Sequence, residues 1–429
     1  MAKGRKAGLR LLTADRSQIG WDMMCLDDLL AADHRARAVW EYVESCDLSA
    51  LYDQVCAVEG AAGRPPIDPA ILMALWLYAT LEGVGSARLL ERLCENDLAC
   101  RWLCGGVGVN YHTLSDFRTQ AGAILDGLLT RSMAALVSAG LVDLDCLAVD
   151  SVRVRAAAGT SSFRSASRLK ELHRLAEQKV ASLAGELHDD PAAAVNRKKQ
   201  RELREAHGRK ARLEAALGAA EVIAAERQRD AEQQRRRKPK KAREPRASTT
   251  DGEARIMRMA SGGFSPAYSV QVKTDPKSGC VVGLEVVNKA SDRGQLVPAV
   301  DEIQRRYGTI PKQALADSGF DSKPDIETLF HRQVDVFCPV PGSKGKSVPP
   351  KIQRGEGNGV TAWRERMSKE ENFAIYRQRF KCERPHADMR NRGLYQFTVR
   401  SLKKVKSVAL WYVTAYNFLQ IRRLVPQTA

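Results

Sequence analysis

Two aspartates and one glutamate are the residues of this sequence best placed to do chemistry together. Asp150 and Asp317 each directly follow a short apolar run that is typical of a buried strand, Leu-Ala-Val before the first and Ala-Leu-Ala before the second. Catalytic groups gather at strand ends in an α/β sheet. A single aspartate at such a position is more often a turn or capping residue, so the prediction depends on a third carboxylate.

The third carboxylate is Glu383, which belongs to a stripe of polar residues. Tyr376, Arg379, Glu383 and Arg390 are separated by 3, 4 and 7 residues, and this spacing places all four on one face of a helix. That face can present Glu383 to the two aspartates while Arg379 binds a phosphate or the carboxylate itself. The same stripe is also compatible with an ordinary ion pair beside an aromatic ring.

Three converging carboxylates favour cleavage of a phosphodiester bond. Carboxylate oxygens are the ligands that Mg²⁺ prefers, with Mn²⁺ as a substitute. Two such ions, about 3.5–4 Å apart, can stabilise both the attacking and the leaving oxygen. Water or a DNA 3′-hydroxyl can then act as the nucleophile, so one site serves both cutting and joining. We therefore expect a catalytic and metal-binding set of Asp150, Asp317 and Glu383, with Mg²⁺ as the cofactor and no nucleotide cofactor.

The charge of the chain is concentrated in two segments. The whole sequence has a formal net charge of +17. Residues 164–246 contain 23 basic and 13 acidic residues, and residues 376–429 contain 12 and 2. Concentrated Lys and Arg indicate a polyanion partner, because they neutralise phosphates and release counterions; a solvated helix face is the alternative for the first segment. We expect double-stranded DNA as the partner, contacted by Tyr376, Arg379, Arg390, Lys403, Lys404, Lys406, Arg235, Arg236, Arg237 and Lys238.

The periodicity of apolar residues divides the chain into three parts. Residues 1–140 read as a helical bundle that we expect to bind DNA ends. Residues 161–246 read as a basic helical hairpin followed by a flexible linker. Residues 141–160 and 247–429 alternate strands and helices and form a mixed α/β catalytic domain. Its predicted elements are strands at 144–149, 267–274, 280–288, 313–316 and 334–340, a helix capped by Ser291 or Asp292, and helices at 323–332, 370–391 and 404–424.

Neither the amino terminus nor any later segment predicts export or membrane insertion. The basic start of the chain lacks the apolar run of a signal peptide, and the longest uncharged apolar stretch, residues 71–81, is shorter than the roughly 20 residues of a membrane span. The ten cysteines have no paired spacing and are expected to be reduced. We therefore expect a cytoplasmic, nucleoid-associated protein.

Several motifs together resemble one protein family. The sequence Gly-Arg-Pro-Pro-Ile-Asp-Pro at 63–69, with His-Thr-Leu-Ser-Asp-Phe-Arg at 112–118, is similar to an InsH-like amino-terminal domain. Ala-Asp-Ser-Gly-Phe-Asp-Ser at 316–322 is similar to the flanks of a second catalytic aspartate. The spacing from Tyr376 to Arg390 matches a Y-x₂-R-x₃-E-x₆-K signature, with arginine in the last place. The chain resembles bacterial insertion-sequence transposases of the acidic-triad (DDE) type.

This resemblance implies a fold, a substrate and a site. The fold class is α+β, with a helical bundle followed by a ribonuclease-H-like catalytic domain that carries a helical-hairpin insertion. The substrate is the pair of terminal inverted repeats, processed by a homo-oligomer that joins the cut ends to target DNA. The resemblance assigns the metal-binding triad to Asp150, Asp317 and Glu383. Ser151 stands where the family often has glycine, which leaves Asp145 as an alternative first carboxylate, and Pro385 is expected to kink the helix after Glu383.

Two other classes of function remain open from the sequence. One is a DNA-binding remnant of such an enzyme that has lost catalysis. The other is a scaffold protein whose working part is the helical hairpin at 165–234. Mg²⁺-dependent nicking of DNA distinguishes the enzyme from both.

Overall fold

The computed structural model describes residues 25–55, 66–189, 197–233, 244–343 and 354–425. Four of the predicted DNA contacts, Arg235, Arg236, Arg237 and Lys238, lie outside these described residues. Within them the chain is a mixed α+β structure that begins with helices and continues into a sheet. The predicted fold class is confirmed.

The amino-terminal part is built around one apolar helix. The helices are α1 (Arg35–Ser45), α2 (Ser49–Tyr52), α3 (Pro69–Leu81), α4 (Ala87–Asn96), α5 (Leu98–Cys104), α6 (Tyr111–Gln120) and α7 (Gly122–Ser138). Helix α3 begins where the sequence predicts, because the Asp68 carboxylate accepts a 2.8 Å hydrogen bond from the Ala70 N–H and proline occupies the first helical position. Nearly every residue of α3 is buried, so it forms the centre of the bundle.

A six-stranded mixed sheet follows the helices. Its strands are β1 (Cys146–Arg155), β4 (Arg255–Arg258), β5 (Phe264–Thr274), β6 (Val281–Val287), β7 (Gln313–Ala316) and β8 (Asp335–Phe337). The order is β4-β5-β1-β7-β8, and β6 pairs with the same edge of β5 as β4 does. Strand β1 is antiparallel to β5 and parallel to β7. The predicted hairpin, now β5 and β6, and the predicted strand at 313–316 are confirmed.

The basic insertion lies between β1 and β4 in the chain. It contains β2 (Phe163–Ser165), α8 (Ala166–Asp189), α9 (Arg197–Gln233) and β3 (Arg246–Ser248), and β2 pairs with β3 at its base. Leu169 and Leu213 lie in a small hydrophobic cluster of its own. The predicted helical hairpin is therefore present and has a separate core.

The remaining helices flank the sheet. They are α10 (Leu296–Tyr307), α11 (Lys323–His331), α12 (Asn358–Arg366), α13 (Glu370–Arg377), α14 (Glu383–Asn391) and α15 (Leu402–Leu424). The prediction that Ser291 or Asp292 caps α10 is wrong. Its first turn is capped from α11, where Asp325 Oδ2 accepts a 3.1 Å hydrogen bond from the Leu296 N–H.

Helix α15 joins the amino-terminal helices to the sheet. It packs against α3, α6 and α7 on one side and against β6 on the other, and it is buried along most of its length. Its Asn417 side chain accepts from the Val281 N–H and donates to the Val281 carbonyl. The amino-terminal bundle and the sheet therefore share one hydrophobic cluster.

The structure differs from the predicted elements at two places near the carboxylates. Strand β1 runs through Asp150 to Arg155 instead of ending at Asp150, because buried Val152 and Val154 continue the alternation of a strand. The single helix predicted at 370–391 is interrupted by a 3₁₀ turn, Gln378–Cys382. Pro385 has no N–H to bond to the carbonyl four residues earlier, so α-helical bonding cannot continue through this segment.

Among the described residues, no single helix is both long and apolar enough to cross a membrane, although α6 and α7 taken together as a bent pair pass that test.

Candidate active site

Asp150 and Asp317 lie side by side on neighbouring parallel strands. The last residue pair between β1 and β7 is Val149 with Ala316, and each aspartate follows directly. Asp150 is also paired with Val272 of β5, so the sheet holds its backbone on that side. The predicted position of Asp150 at a strand end therefore holds with respect to β7, although not with respect to β1 itself.

Arg379 connects Glu383 to this pair. Its guanidinium lies 3.4 Å from Asp150 Oδ2 and 3.0 Å from Glu383 Oε1. Arg379 lies in the 3₁₀ turn, and Glu383 is the first residue of α14. Tyr376 lies near the end of α13, close enough to Arg379 for the charge of the guanidinium to oppose the rise in the Tyr376 pKa that burial causes. Of the predicted stripe, Arg379 contacts Asp150 and joins Tyr376 and Glu383 to it, across three short elements instead of one helix, whereas Arg390 lies apart at the end of α14.

The environment of Asp150 disfavours its charge. The pKa of Asp150 is raised to about 6, chiefly by burial; the carboxylates of Asp317 and Glu383 contribute to this rise, and Arg379 and the Ser151 N–H oppose it. Asp150 therefore has a raised pKa and lies next to two other carboxylates. A cation bound there would stabilise its ionised form.

His386, three residues after Glu383, is the only histidine that the sequence places near the site, where it is interpreted as a surface or DNA-contacting residue; the structure buries it instead. It lies on α14, buried, with Nε2 3.8 Å from Asp150 Oδ2. Burial, followed by the charges of Arg390 and Arg379, lowers the pKa of His386 to about 4, so the ring is neutral at neutral pH. Neither ring nitrogen has a hydrogen-bond partner among the described residues.

Asp292 is a fourth carboxylate beside the pair. It is buried, accepts a 2.8 Å hydrogen bond from the Ser151 hydroxyl and lies 3.1 Å from Arg153 Nη2. Burial raises the pKa of Asp292, and the charge of Asp317 contributes in the same direction. In the sequence, Asp292 follows β6 and precedes Arg293 and Gly294. We interpreted this aspartate as a helix cap and not as a residue of the site.

The turn after β7 fixes Asp317. Its Oδ1 accepts a 2.8 Å hydrogen bond from the Gly319 N–H, and Cys338 donates its thiol to the Asp317 carbonyl at 3.0 Å. A Cβ atom on Gly319 would lie 2.9 Å from Asp317 Oδ1 and 3.7 Å from Asp292 Oδ2. Glycine therefore lets the turn lie between these two carboxylates.

The remaining predicted residues lie at varying distances from this centre. Arg390 is exposed at the end of α14. Lys403 and Lys404 are exposed in the first turn of α15, whereas Lys406 pairs with Glu285 at 2.9 Å. The alternative first carboxylate, Asp145, precedes β1 and pairs with Lys312 at 2.6 Å. It therefore lies at the opposite end of the parallel strands from Asp317.

The chemistry of these donors fits a hard divalent cation. Asp150, Asp317 and Glu383 offer only oxygen ligands, which is the donor type that Mg²⁺ and Mn²⁺ select. In the present side-chain conformations, no group of three or more acidic, histidine or cysteine residues among those described is close enough together to bind one metal ion. The three carboxylates are thus of the donor type that a hard divalent cation selects. Glu383 is the most exposed of them, so the geometry of a metal site depends on the position of the Glu383 side chain.

Comparison with known families matches the two ends of the chain. Residues 24–120 match the family described as Transposase domain (DUF772), and residues 241–418 match the family described as Transposase DDE domain. The second match contains Asp317 and Glu383, whereas Asp150 lies between the two matched segments. No curated protein and no solved structure matches the chain.

The two matched segments together span more than half of the chain, in the order that the sequence predicts. The Transposase DDE domain is ribonuclease-H-like, in agreement with the mixed sheet, and enzymes of this family act on DNA with divalent metal ions. The chain therefore belongs to the insertion-sequence transposases of the DDE type.

Proposed function

We propose that this transposase binds the terminal inverted repeats of its element, cleaves the phosphodiester bond at each end and joins the exposed 3′-hydroxyl to target DNA. The observation that carries the proposal is the juxtaposition of Asp150 and Asp317 on parallel strands, with Arg379 linking Asp150 to Glu383. Asp150 is held by the sheet, and Asp317 by the turn that follows β7. The third carboxylate is brought to them by a separate helix.

Asp150, Asp317 and Glu383 would hold the divalent metal, which we propose to be Mg²⁺ with Mn²⁺ as a substitute. When bound, the metal supplies charge stabilisation to the oxygens of the scissile phosphate. Arg379 orients Glu383 and offers a guanidinium to the phosphate. His386, neutral and buried behind Asp150, excludes water from that side of the carboxylate without adding charge.

The DNA backbone is proposed to contact exposed basic residues around this centre. Tyr376 and Arg379 lie at the carboxylates, and Arg390 follows on α14. Lys403 and Lys404 extend this surface to α15, and Lys406 adds a further contact if Glu285 releases it. Arg235, Arg236, Arg237 and Lys238 of the insertion are proposed to bind phosphates as well. A homo-oligomer is expected, since two DNA ends are processed together.

The experiment is cleavage of a labelled linear DNA that carries the ends of the element, with Mg²⁺ or with EDTA. Wild-type protein should cut at the ends only with the metal, and Glu383→Gln should lose at least about 100-fold of this rate because it removes a charged metal ligand. Glu371→Gln is the matched control, since Glu371 is exposed on α13 and outside the carboxylate cluster. It should cut like the wild type.

Two results would contradict the proposal. Binding of the ends without cleavage by wild-type protein would indicate a DNA-binding remnant. Equal cleavage by Glu383→Gln and wild type would remove Glu383 from the metal-binding set.

A further inference from the structure

His386 is a buried polar side chain without a hydrogen-bond partner. It lies on α14 with 7% of its surface exposed, and neither Nδ1 nor Nε2 bonds to any group in the part of the chain that the structure describes. A buried polar atom left unpaired costs free energy comparable to a lost hydrogen bond. Such atoms are rare in folded proteins, and each calls for an explanation. Two of them on one ring favour another state of the site, in which the ring is bonded.

The helix keeps this ring beside the carboxylates. His386 lies in the first turn of α14, which begins with Glu383. Pro385 and Met389 of the same helix are buried as well, so the ring cannot reach solvent unless the helix moves. Its Nε2 lies 3.8 Å from Asp150 Oδ2. A closing movement of about 1 Å would turn this contact into a hydrogen bond of normal length.

One oxygen of Asp150 is held and the other is not. Asp150 Oδ1 accepts a 2.8 Å hydrogen bond from the Ser151 N–H. Oδ2 lies between two donors, 3.4 Å from Arg379 Nη1 and 3.8 Å from His386 Nε2. Neither distance is that of a short hydrogen bond. An ionised carboxylate has about four acceptor positions, so Oδ2 can take a further donor and still leave positions for a metal.

Arg379 cannot fix this oxygen alone. Its guanidinium is shared with Glu383 at 3.0 Å, and the Glu383 side chain is 61% exposed. A movement of Glu383 would therefore draw the guanidinium with it. His386 has no second acidic contact among the residues that the structure places, and its ring is held by burial. Of the two donors, His386 is the one that can serve Asp150 only.

We propose that His386 is a positioning residue for metal binding, whose Nε2–H donates to Oδ2 of the Asp150 carboxylate when this carboxylate ligates the cation. The hydrogen bond fixes the rotation of the carboxylate about its side-chain bond. Groups that ligate metals are commonly held by such partners, and loss of the partner costs about 10–100-fold in metal affinity. This inference rests on the proposed function, since it assumes that Asp150 binds the metal.

The first test measures Mn²⁺ binding to the full-length protein by electron paramagnetic resonance, without DNA. His386→Phe keeps a buried ring and removes both nitrogens. It should weaken Mn²⁺ binding by about 10–100-fold. His331→Phe is the matched control, since the His331 side chain is 68% exposed on α11. It should bind Mn²⁺ like the wild type.

Two amide variants identify the nitrogen that donates. The amide nitrogen of glutamine reaches about as far as Nε2 of histidine, whereas that of asparagine ends near the position of Nδ1. Both amides are hydrogen-bond donors. His386→Gln should therefore keep a Mn²⁺ affinity close to that of wild type, and His386→Asn should bind as weakly as His386→Phe. Should His386→Phe fail to fold, the difference between the two amide variants decides the question alone.

The stability of the metal-free protein should change in the opposite direction. His386→Phe removes two unpaired buried nitrogens, so it should raise the thermal unfolding midpoint in EDTA by about 1–3 °C. A histidine that served only to fill space would give no loss of Mn²⁺ affinity alongside this gain. The combination of higher stability and weaker metal binding separates a positioning role from a packing role.

Cleavage of the element ends gives a further readout. In His386→Phe the Mn²⁺ concentration for half-maximal cleavage should rise by about 10–100-fold. The rate at saturating Mn²⁺ should stay near that of wild type, because His386 acts through Asp150 and does not touch the DNA.

Three results would overturn the inference. If His386→Phe binds Mn²⁺ and cleaves at the same Mn²⁺ concentrations as wild type, the positioning role is wrong and the proposed function stands. A nitrogen of His386 bonded directly to Mn²⁺, detected by electron spin echo envelope modulation, would make the residue a ligand instead. If wild type neither binds Mn²⁺ nor cleaves, both the inference and the proposed function are overturned.

Discussion

At the scale of single residues, the surroundings of Asp150 oppose its negative charge. Burial and the neighbouring carboxylates raise its pKa, whereas Arg379 and the Ser151 N–H only partly compensate. His386 contributes no positive charge at neutral pH because its own pKa is lowered to about 4. Ionised Asp150 therefore destabilises the metal-free fold, and a bound cation would remove this cost because metal binding displaces the proton.

Asp150→Asn should stabilise the metal-free protein at pH 8. The pKa of Asp150 rises from 3.8 to about 6 on folding, so the folded state holds more protons than the unfolded state between these values. The cost of its charge is absent below this window and complete above it. We expect the free energy of unfolding of the variant in EDTA to exceed that of wild type by about 3 kcal/mol at pH 8, and by almost nothing at about pH 3, below both pKa values.

Urea denaturation at a series of pH values measures this difference, and comparison with wild type cancels the contribution of His386. Added Mn²⁺ should stabilise wild type and not the variant. Asp145→Asn is the control: its exposed pair with Lys312 should change stability by less than about 1 kcal/mol. If the variant were less stable than wild type at pH 8 in EDTA, the charge of Asp150 would not destabilise the metal-free fold.

At the scale of elements, the turn Ser318–Phe320 decides where Asp317 points. It follows β7 directly, and its second residue donates the hydrogen bond that holds the Asp317 carboxylate. A side chain on Gly319 would come within 2.9 Å of that carboxylate. The backbone of the turn and the carboxylate therefore cannot both keep their positions if a Cβ is present.

Gly319→Ala should reduce metal-dependent cleavage by about ten-fold or more, because the added methyl group displaces Asp317 from its neighbour Asp150. The unfolding midpoint should change little, since Gly319 itself is exposed. Gly218→Ala is the matched control: Gly218 lies within α9, nothing occupies the space of its Cβ, and the substitution should leave cleavage unchanged. Wild-type cleavage by Gly319→Ala would show that this contact does not position Asp317.

The strands that carry the aspartates could be predicted from the sequence for a physical reason. Short apolar runs with turn residues between them define β5, β6 and β7. Asp150 and Asp317 each follow such a run, and parallel strands bring their ends to one edge of a sheet. The pairing of the two aspartates therefore follows from local pattern and strand direction, without knowledge of distant contacts.

The rest of the site depends on contacts that local pattern does not contain. The sequence predicts one helix over 370–391 with a kink after Glu383, where Pro385 lacks an N–H, whereas the structure places the break before Glu383, at Gln378–Cys382. In the sequence, Asp292 looks like a helix cap and His386 like a surface or DNA-contacting residue. Their burial arises where the segment after β6 and helix α14 pack against β1, a consequence of tertiary structure.

At the scale of the whole molecule, a buried network of charges connects the amino-terminal helices to the catalytic sheet. Glu302 of α10 accepts from Lys273 of β5 at 2.6 Å and from Arg306 at 2.8 Å, and Arg306 also contacts Asp126 of α7 at 2.6 Å. Lys273 and Glu302 are almost fully buried. Although burial opposes it, the charges of Lys273 and Arg306 lower the pKa of Glu302 to about 2.

Glu302→Gln should destabilise the protein by about 3–5 kcal/mol at pH 7, because it leaves the Lys273 ammonium buried without a counter-charge. The double variant Lys273→Met with Glu302→Gln should recover part of this loss, since no unpaired ammonium remains. Asp301→Asn is the control on the same helix, where the exposed pair with Arg332 should contribute less than about 1 kcal/mol.

The same network predicts how the molecule unfolds. Because it joins α7 to β5 and α10, and because α15 packs against both parts, the amino-terminal helices and the sheet should unfold in one transition by calorimetry, and Glu302→Gln should lower that midpoint without splitting it. Two separate transitions in wild type would show that the bundle and the sheet are independent. A midpoint unchanged in Glu302→Gln would show that Lys273 escapes to solvent when its partner is lost.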